Sequence, residues 1–161
     1  MRILGIDPGS RRTGWGVVQL DGTRLRYLGA GTIAVPEKLA LAKRLRLIHE
    51  GLERVIQEHA PETVAVEEIF FAKSANAALK LGHARGVALL VAAQSELDVH
   101  EYPPAIVKRT VVGRGAANKV QVGRLITALL GLKAPPEEDA ADALAVAITH
   151  IQASRSKAIP R

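Results

Sequence analysis

Three strand-like segments follow one another from Ile3 to Val35, and from there helix alternates with strand. Ile3–Ile6 is a short apolar run stopped by Asp7-Pro8-Gly9, a turn signal. Thr13–Leu20 reads as the second strand and Arg24–Val35 as the third, joined at Asp21-Gly22, a strong hairpin pair. These three form an antiparallel meander. Over Glu37–His59 the apolar residues Leu41, Leu45, Ile48, Leu52, Val55 and Ile56 recur at helical spacing. Thr63–Val66 is a short buried strand running into Glu67-Glu68. Ser74 is placed to cap a helix reaching about Leu97, and Val99–Tyr102 is the last strand. Pro103-Pro104 opens a short helix. Asn118 reads as the N-cap of the next, with Gln121 as its reciprocal partner and Gly131 as its stop. The final helix follows Pro135-Pro136 and runs to about Gln152. Residues 153–161 are a polar, basic tail, predicted to be disordered. Hairpin strands joined to βαβ units predict an α/β fold, a mixed sheet with helices on both faces, in one domain over residues 1–152.

The composition excludes several classes of function. There is no cysteine among the 161 residues, so disulfides, thiolate metal sites and cysteine nucleophiles are impossible. No apolar run approaches the ~20 residues of a membrane span. The opening stretch is too short before its first acid to be a secretion signal, so the expected location is the cytoplasm. The formal charge is +6, and its distribution matters more than its size. From Pro103 to Lys133 the charged residues are Lys108, Arg109, Arg114, Lys119, Arg124 and Lys133, without an acid. From Ile69 to Ser95 they are Lys73, Lys80 and Arg85, again without an acid. A solvated helix face normally interleaves the two signs. Segregation of this kind fits a phosphate-binding face, with Lys73, Arg85, Lys108, Arg114 and Lys119 as DNA-contact candidates.

The long helix poses a packing problem. Its segment Gly86–Ala93 is apolar all round and so needs cover on two sides. The sheet supplies one. The other is either a two-fold partner helix or the chain's own last helices.

Four acids end elements that are otherwise apolar. Asp7 ends the first strand, and Glu67 with Glu68 beside it ends the fourth. Asp139 and Asp142 share a face at the start of the last helix. Each has a plainer use: Asp7 as a turn residue, Asp139 as an acid on a helix dipole. Asp142, set among alanines, is harder to explain that way. Strand parity cannot choose between Glu67 and Glu68, because a strand buried on both faces does not alternate. Converging carboxylates repel unless cations occupy them. Mg²⁺ suits hard oxygen donors, and two ions about 4 Å apart serve phosphoryl transfer. Phe70 and Phe71 follow closely and can stack on unpaired bases, although core packing is the simpler use for at least one. Lys119 sits where a cation opposes the helix dipole, unless a phosphate binds there beside Asn118 and Arg114. The five histidines show no ligand spacing; His83 is a DNA-contact candidate only through family resemblance. Asp7-Pro8-Gly9-Ser10 with Gly14 and Gly16 echoes the phosphate loop of actin-like ATPases, but there is room for only one of their two lobes.

Five motifs in order resemble the RuvC family of Holliday-junction resolvases. They are Ile6–Ser10 with Gly14–Val17; Val66–Phe70; Ala78–Gly82 with Ala84–Val87; Val107-Lys108 with Thr110–Gly113; and Asp139–Ala145. The resemblance spans residues 1 to about 152. It implies a ribonuclease H-like fold, a homodimer through the long helix, and Mg²⁺-dependent cutting of four-way DNA junctions, with Mn²⁺ able to substitute. It implies catalytic and metal-binding roles for Asp7, Glu67, Asp139 and Asp142, so selecting Glu67 over Glu68. It implies DNA contacts by Lys108 and Lys119, base stacking by Phe70, and work beside a RuvA–RuvB branch-migration complex. Two other classes remain open: a junction-binding module without catalysis, and a one-lobed nucleotide hydrolase.

Overall fold

The computed structural model describes residues 1–68, 74–113 and 119–158. The strands are β1 (Arg2–Asp7), β2 (Arg12–Asp21), β3 (Arg24–Ala34), β4 (Thr63–Glu67) and β5 (Asp98–Tyr102). The helices are α1 (Leu41–His59), α2 (Ala75–Gln94), α3 (Pro104–Val112), α4 (Lys119–Leu130) and α5 (Glu138–Ala158). The sheet order is β3-β2-β1-β4-β5. β1 and β2 pair antiparallel, as do β2 and β3, whereas β4 joins β1 parallel and β5 joins β4 parallel. The expected mixed sheet is therefore present, with the hairpin turning at Gly22, whose φ is +60°.

Alternate residues of the central strands feed two cores, as the period of a strand requires. Leu4, Ile6 and Val17 pack with Ile48 and Leu52 of α1 and with Ala88 and Val91 of α2. Ile3 and Val18 face the other way, onto Val107 of α3, Ile126 of α4 and Leu144 and Ile148 of α5. Helices thus cover both faces. The last helices lie across the sheet from α2, so they cannot be its second cover. Leu79 and Leu90 of α2 are instead 64% and 52% exposed.

α5 sits unusually close to the sheet. A Cβ at Gly14 would overlap the backbone carbonyl of Asp139, and one at Gly5 would overlap that of Ala143. Only glycine admits this approach. It fixes the first turns of α5 over β1 and β2, the placement on which the site depends.

The element ends differ from the sequence reading for local reasons. α1 begins at Leu41 rather than Glu37, because Leu39 N–H closes a turn on Pro36 C=O and Glu37 pairs with Arg11. α2 ends at Gln94 rather than Leu97, where Glu96 turns to φ +55° and Leu97 N–H bonds back to Ala92 C=O. α5 passes Gln152 and continues to Ala158, so residues 153–158 are helical rather than a disordered tail. Ser154 and Ser156 return their hydroxyls to the carbonyls of His150 and Gln152, and the first helix breaker is Pro160.

Candidate active site

β1 and β4 are parallel neighbours in the register Ile6↔Val66, so Asp7 and Glu67 emerge side by side at the C-terminal ends of two central strands. Across β1, Asp7 pairs with Gly14, and Gly14 lies under Asp139. One helical turn on, Asp142 stands on the same side of α5. Residues separated by more than a hundred positions are thereby brought together. The turn between β1 and β2 is stapled by Thr13, a buried residue whose hydroxyl donates to Gly9 C=O over 2.9 Å.

The electrostatics bear out this convergence. The Asp7 carboxyl is pushed up to about 8, first by burial, then by the charges of Glu67 and Asp142, a hydrogen bond shared with Glu67, and the charge of Asp139. The other three acids singled out in the sequence therefore all act on Asp7. The hydrogen bond to Asp7 belongs to Glu67. Glu68 N–H instead donates to Tyr102 C=O across the β4–β5 edge.

Asp139 has a second partner that sequence reasoning missed. Arg12 Nε donates to its Oδ2 over 2.5 Å, and Arg12 Nη2 donates to Glu137 Oε2 over 3.0 Å. Thr32 also donates to Glu137 Oε2. The Asp139 carboxylate, by hydrogen bond and charge, makes the Arg12 guanidinium hold its proton more tightly than an isolated one. No local pattern announces a pair 127 residues apart. Among the described residues, no three acidic or histidine side chains stand close enough to enclose an ion in this arrangement. The donor chemistry nevertheless fits a hard cation. The acids are oxygen donors, and their mutual repulsion, recorded at Asp7, is what a cation relieves.

The other candidate residues differ in their placement. Lys108 is exposed on α3, which begins directly beyond the C-terminal end of β5. Arg85 is half-buried and pairs with Glu101 of β5, a structural use that competes with a DNA contact. Phe70, Phe71, Lys73, Arg114, Asn118 and the side chain of Lys119 lie outside the described residues. Val120 and Arg124 of α4 do line a cavity of about 380 Å³ together with Asp142, so the start of α4 borders the carboxylates. His83 is on the exposed apolar side of α2, with Nδ1 2.6 Å from Leu79 C=O.

Comparison with known proteins adds an independent observation. The family described as Crossover junction endodeoxyribonuclease RuvC matches residues 3–150. The chain belongs to the RuvC family. A RuvC from Sorangium cellulosum is 54% identical over 96% of this chain and 86% of its own. One from Afipia carboxidovorans is 53% identical over 100% of this chain and 94% of its own. The solved structure of Thermus thermophilus RuvC in complex with a Holliday junction substrate superposes with a TM-score of 0.91, at 36% identity, covering 98% of this chain and 96% of that one. The expected ribonuclease H-like fold and junction-nuclease class are both met, and RuvC nucleases are metal-dependent.

Proposed function

We propose that this RuvC-family endonuclease cuts both strands of a four-way DNA junction symmetrically, as a homodimer, at a centre formed by Asp7, Glu67, Asp139 and Asp142 with Mg²⁺. The observation carrying this reading is the upward shift of Asp7, caused first by burial and then by the charges of the other three acids gathered around it. When bound, two Mg²⁺ ions supply the positive charge that activates water and stabilises the departing 3′ oxygen. The chain's own part is positional. The paired strand ends fix Asp7 and Glu67, the glycine-seated helix fixes Asp139 and Asp142, and Lys108 and Lys119 hold backbone phosphates. Phe70 stacks on a base where the junction opens.

Arg12 competes with metal for Asp139. An exposed ion pair of this kind holds its carboxylate only weakly. Arg12→Ala is therefore expected to bind Mg²⁺ or Mn²⁺ up to about fivefold more tightly by calorimetry. Unchanged affinity would remove Asp139 from the metal ligands.

The exposed apolar side of α2 supports the dimer. Leu79, Gly82, Gly86, Val87 and Leu90 line it together with Leu45 of α1. Because Leu90 is half exposed, a charge there disturbs an interface rather than the core. Leu90→Glu is expected to sediment as a folded monomer and to lose paired cutting, whereas the wild type sediments as a dimer. A monomeric wild type at micromolar concentration counts against the arrangement. A RuvA–RuvB complex is the partner that the family implies, and the cytoplasm, where the chromosome lies, is the proposed location. No helix of the described residues is long and apolar enough to cross a membrane.

The deciding experiment incubates the protein with a mobile four-way junction and with linear duplex, with and without Mg²⁺ or Mn²⁺. Paired symmetric nicks on the junction alone, dependent on metal, are expected. ATP turnover without DNA would favour the nucleotide-hydrolase alternative. Tight junction binding without cleavage would favour the silent module.

A further inference from the structure

A second polar cavity, of about 420 Å³, opens where the loop after β1 meets the start of α2. That volume is within the range of ligand clefts, roughly 300–1,000 Å³. Ser10, Arg11, Arg44, Ser74, Asn76 and Lys80 line it, with Glu37 the acid at its edge.

Arg44 is the informative member. It is only 7% exposed, and its Nη1 donates to Ser10 C=O over 3.2 Å. Its Nε is buried without a hydrogen-bond partner, and among the described residues it forms no ion pair. A buried guanidinium that faces only a neutral carbonyl is costly unless an anion completes its shell. The nearby acid does not do so, because Glu37 is paired with Arg11.

The helix start points to the same ligand charge. Ser74 caps α2 by accepting from Ala77 N–H, and the first turn carries no acid. Its positive dipole end and acid-free first turn favour an anion. Lys80 lies four residues beyond Asn76, on the same side of the helix. The cavity is therefore lined by Arg11, Arg44 and Lys80 against one acid. Ser10 lies in the loop that directly follows Asp7, so the cavity and the carboxylate centre share the segment between β1 and β2.

We infer that this cavity binds a backbone phosphate of the DNA strand being cut, a few nucleotides from the scissile bond. The inference rests on the nuclease reading above and adds a subsite to it. Arg44 supplies the buried charge, the start of α2 its amide donors, and Lys80 the outer charge. Through Ser10, Arg44 also ties that phosphate to the loop carrying Asp7.

The test uses four-way junctions in which single phosphates of the cut strand are replaced, one position at a time, by neutral methylphosphonates. Affinity is measured in metal-free buffer for the wild type and for Lys80→Ala, an exposed position whose loss leaves the fold intact. At one position near the cut, the wild type is expected to lose about tenfold in affinity, the worth of one charge-assisted contact. At that position Lys80→Ala loses far less. Its plot of log affinity against log salt is also shallower by about 1. Identical position profiles for the two proteins would overturn the inference. So would stabilisation by inorganic phosphate that Lys80→Ala abolishes, if no DNA position discriminates the two proteins, since the site would then serve free phosphate. The same scan on linear duplex separates the two readings. Equal affinity for duplex and junction counts against junction selectivity, whereas the cavity stands or falls on the difference between the two profiles.

Discussion

Asp7→Asn, Glu67→Gln and Asp142→Asn are each expected to lose about a thousandfold in junction cleavage while binding the junction as tightly as the wild type. Metal ions supply several kcal/mol to a phosphoryl-transfer transition state, and each 1.36 kcal/mol is tenfold in rate. An amide keeps the shape of the carboxylate but not the charge that retains the ion. Affinity is governed elsewhere, by phosphate contacts on the basic face. Asp7 and Glu67 share a hydrogen bond, and Asp7 is largely buried. Asp139→Asn is the mildest of the four, because that carboxylate already divides its charge with Arg12. In metal-free buffer, binding tightens slightly in each variant, since one repulsive charge facing the DNA is gone. The measurement is single-turnover cleavage beside junction affinity at one salt concentration. Cleavage at the wild-type rate by Asp7→Asn or Asp142→Asn would refute the metal centre.

Most of the framework was legible in the sequence because it is governed by local patterns. Asp21-Gly22 marked the hairpin, and Ser74 is the cap of α2 that its position suggested. The apolar runs ending in acids placed Asp7 and Glu67 at strand ends. What failed to show in the sequence depends on contacts across the fold. Glu67 and Glu68 could not be separated because Thr63–Val66 is buried on both faces and does not alternate. The hydrogen bond from Asp7 separates them. The cover of α2 was ambiguous because an apolar helix does not state which face of the sheet it occupies. Ile3 and Leu4, adjacent in sequence, send α5 to one side and α2 to the other. Gly5 and Gly14 read as ordinary strand glycines until α5 is seen resting on them. Arg12 is an exposed arginine in a basic chain, and only folding brings it to Asp139.

Without metal, the stability of the protein is expected to fall as pH rises from about 4 to about 8. Asp7 ionises near 3.8 when unfolded and near 8 when folded. Between those values the native state holds a proton that the unfolded chain has released. Stability therefore falls with rising pH, by up to about 1.4 kcal/mol per pH unit for one proton. Below the lower value both states are protonated and Asp7 contributes nothing. Above the higher value both are ionised and the full penalty is present, with Asp7 charged beside Glu67, Asp139 and Asp142. A divalent cation held by these carboxylates would favour the ionised form, so its affinity is expected to rise with pH and its stabilising effect to be greatest where the metal-free protein is weakest. Asp7→Asn has no proton to lose there. Its metal-free stability is expected to exceed that of the wild type at pH 8, and the gap to shrink toward pH 4. Taking the difference between the two proteins cancels every titration that they share. Denaturant melts at several pH values, with chelator and with Mg²⁺, measure all of this. If the gap between wild type and Asp7→Asn did not change with pH, Asp7 would carry an ordinary carboxylate, and the crowding of four acids on which the metal centre rests would be absent.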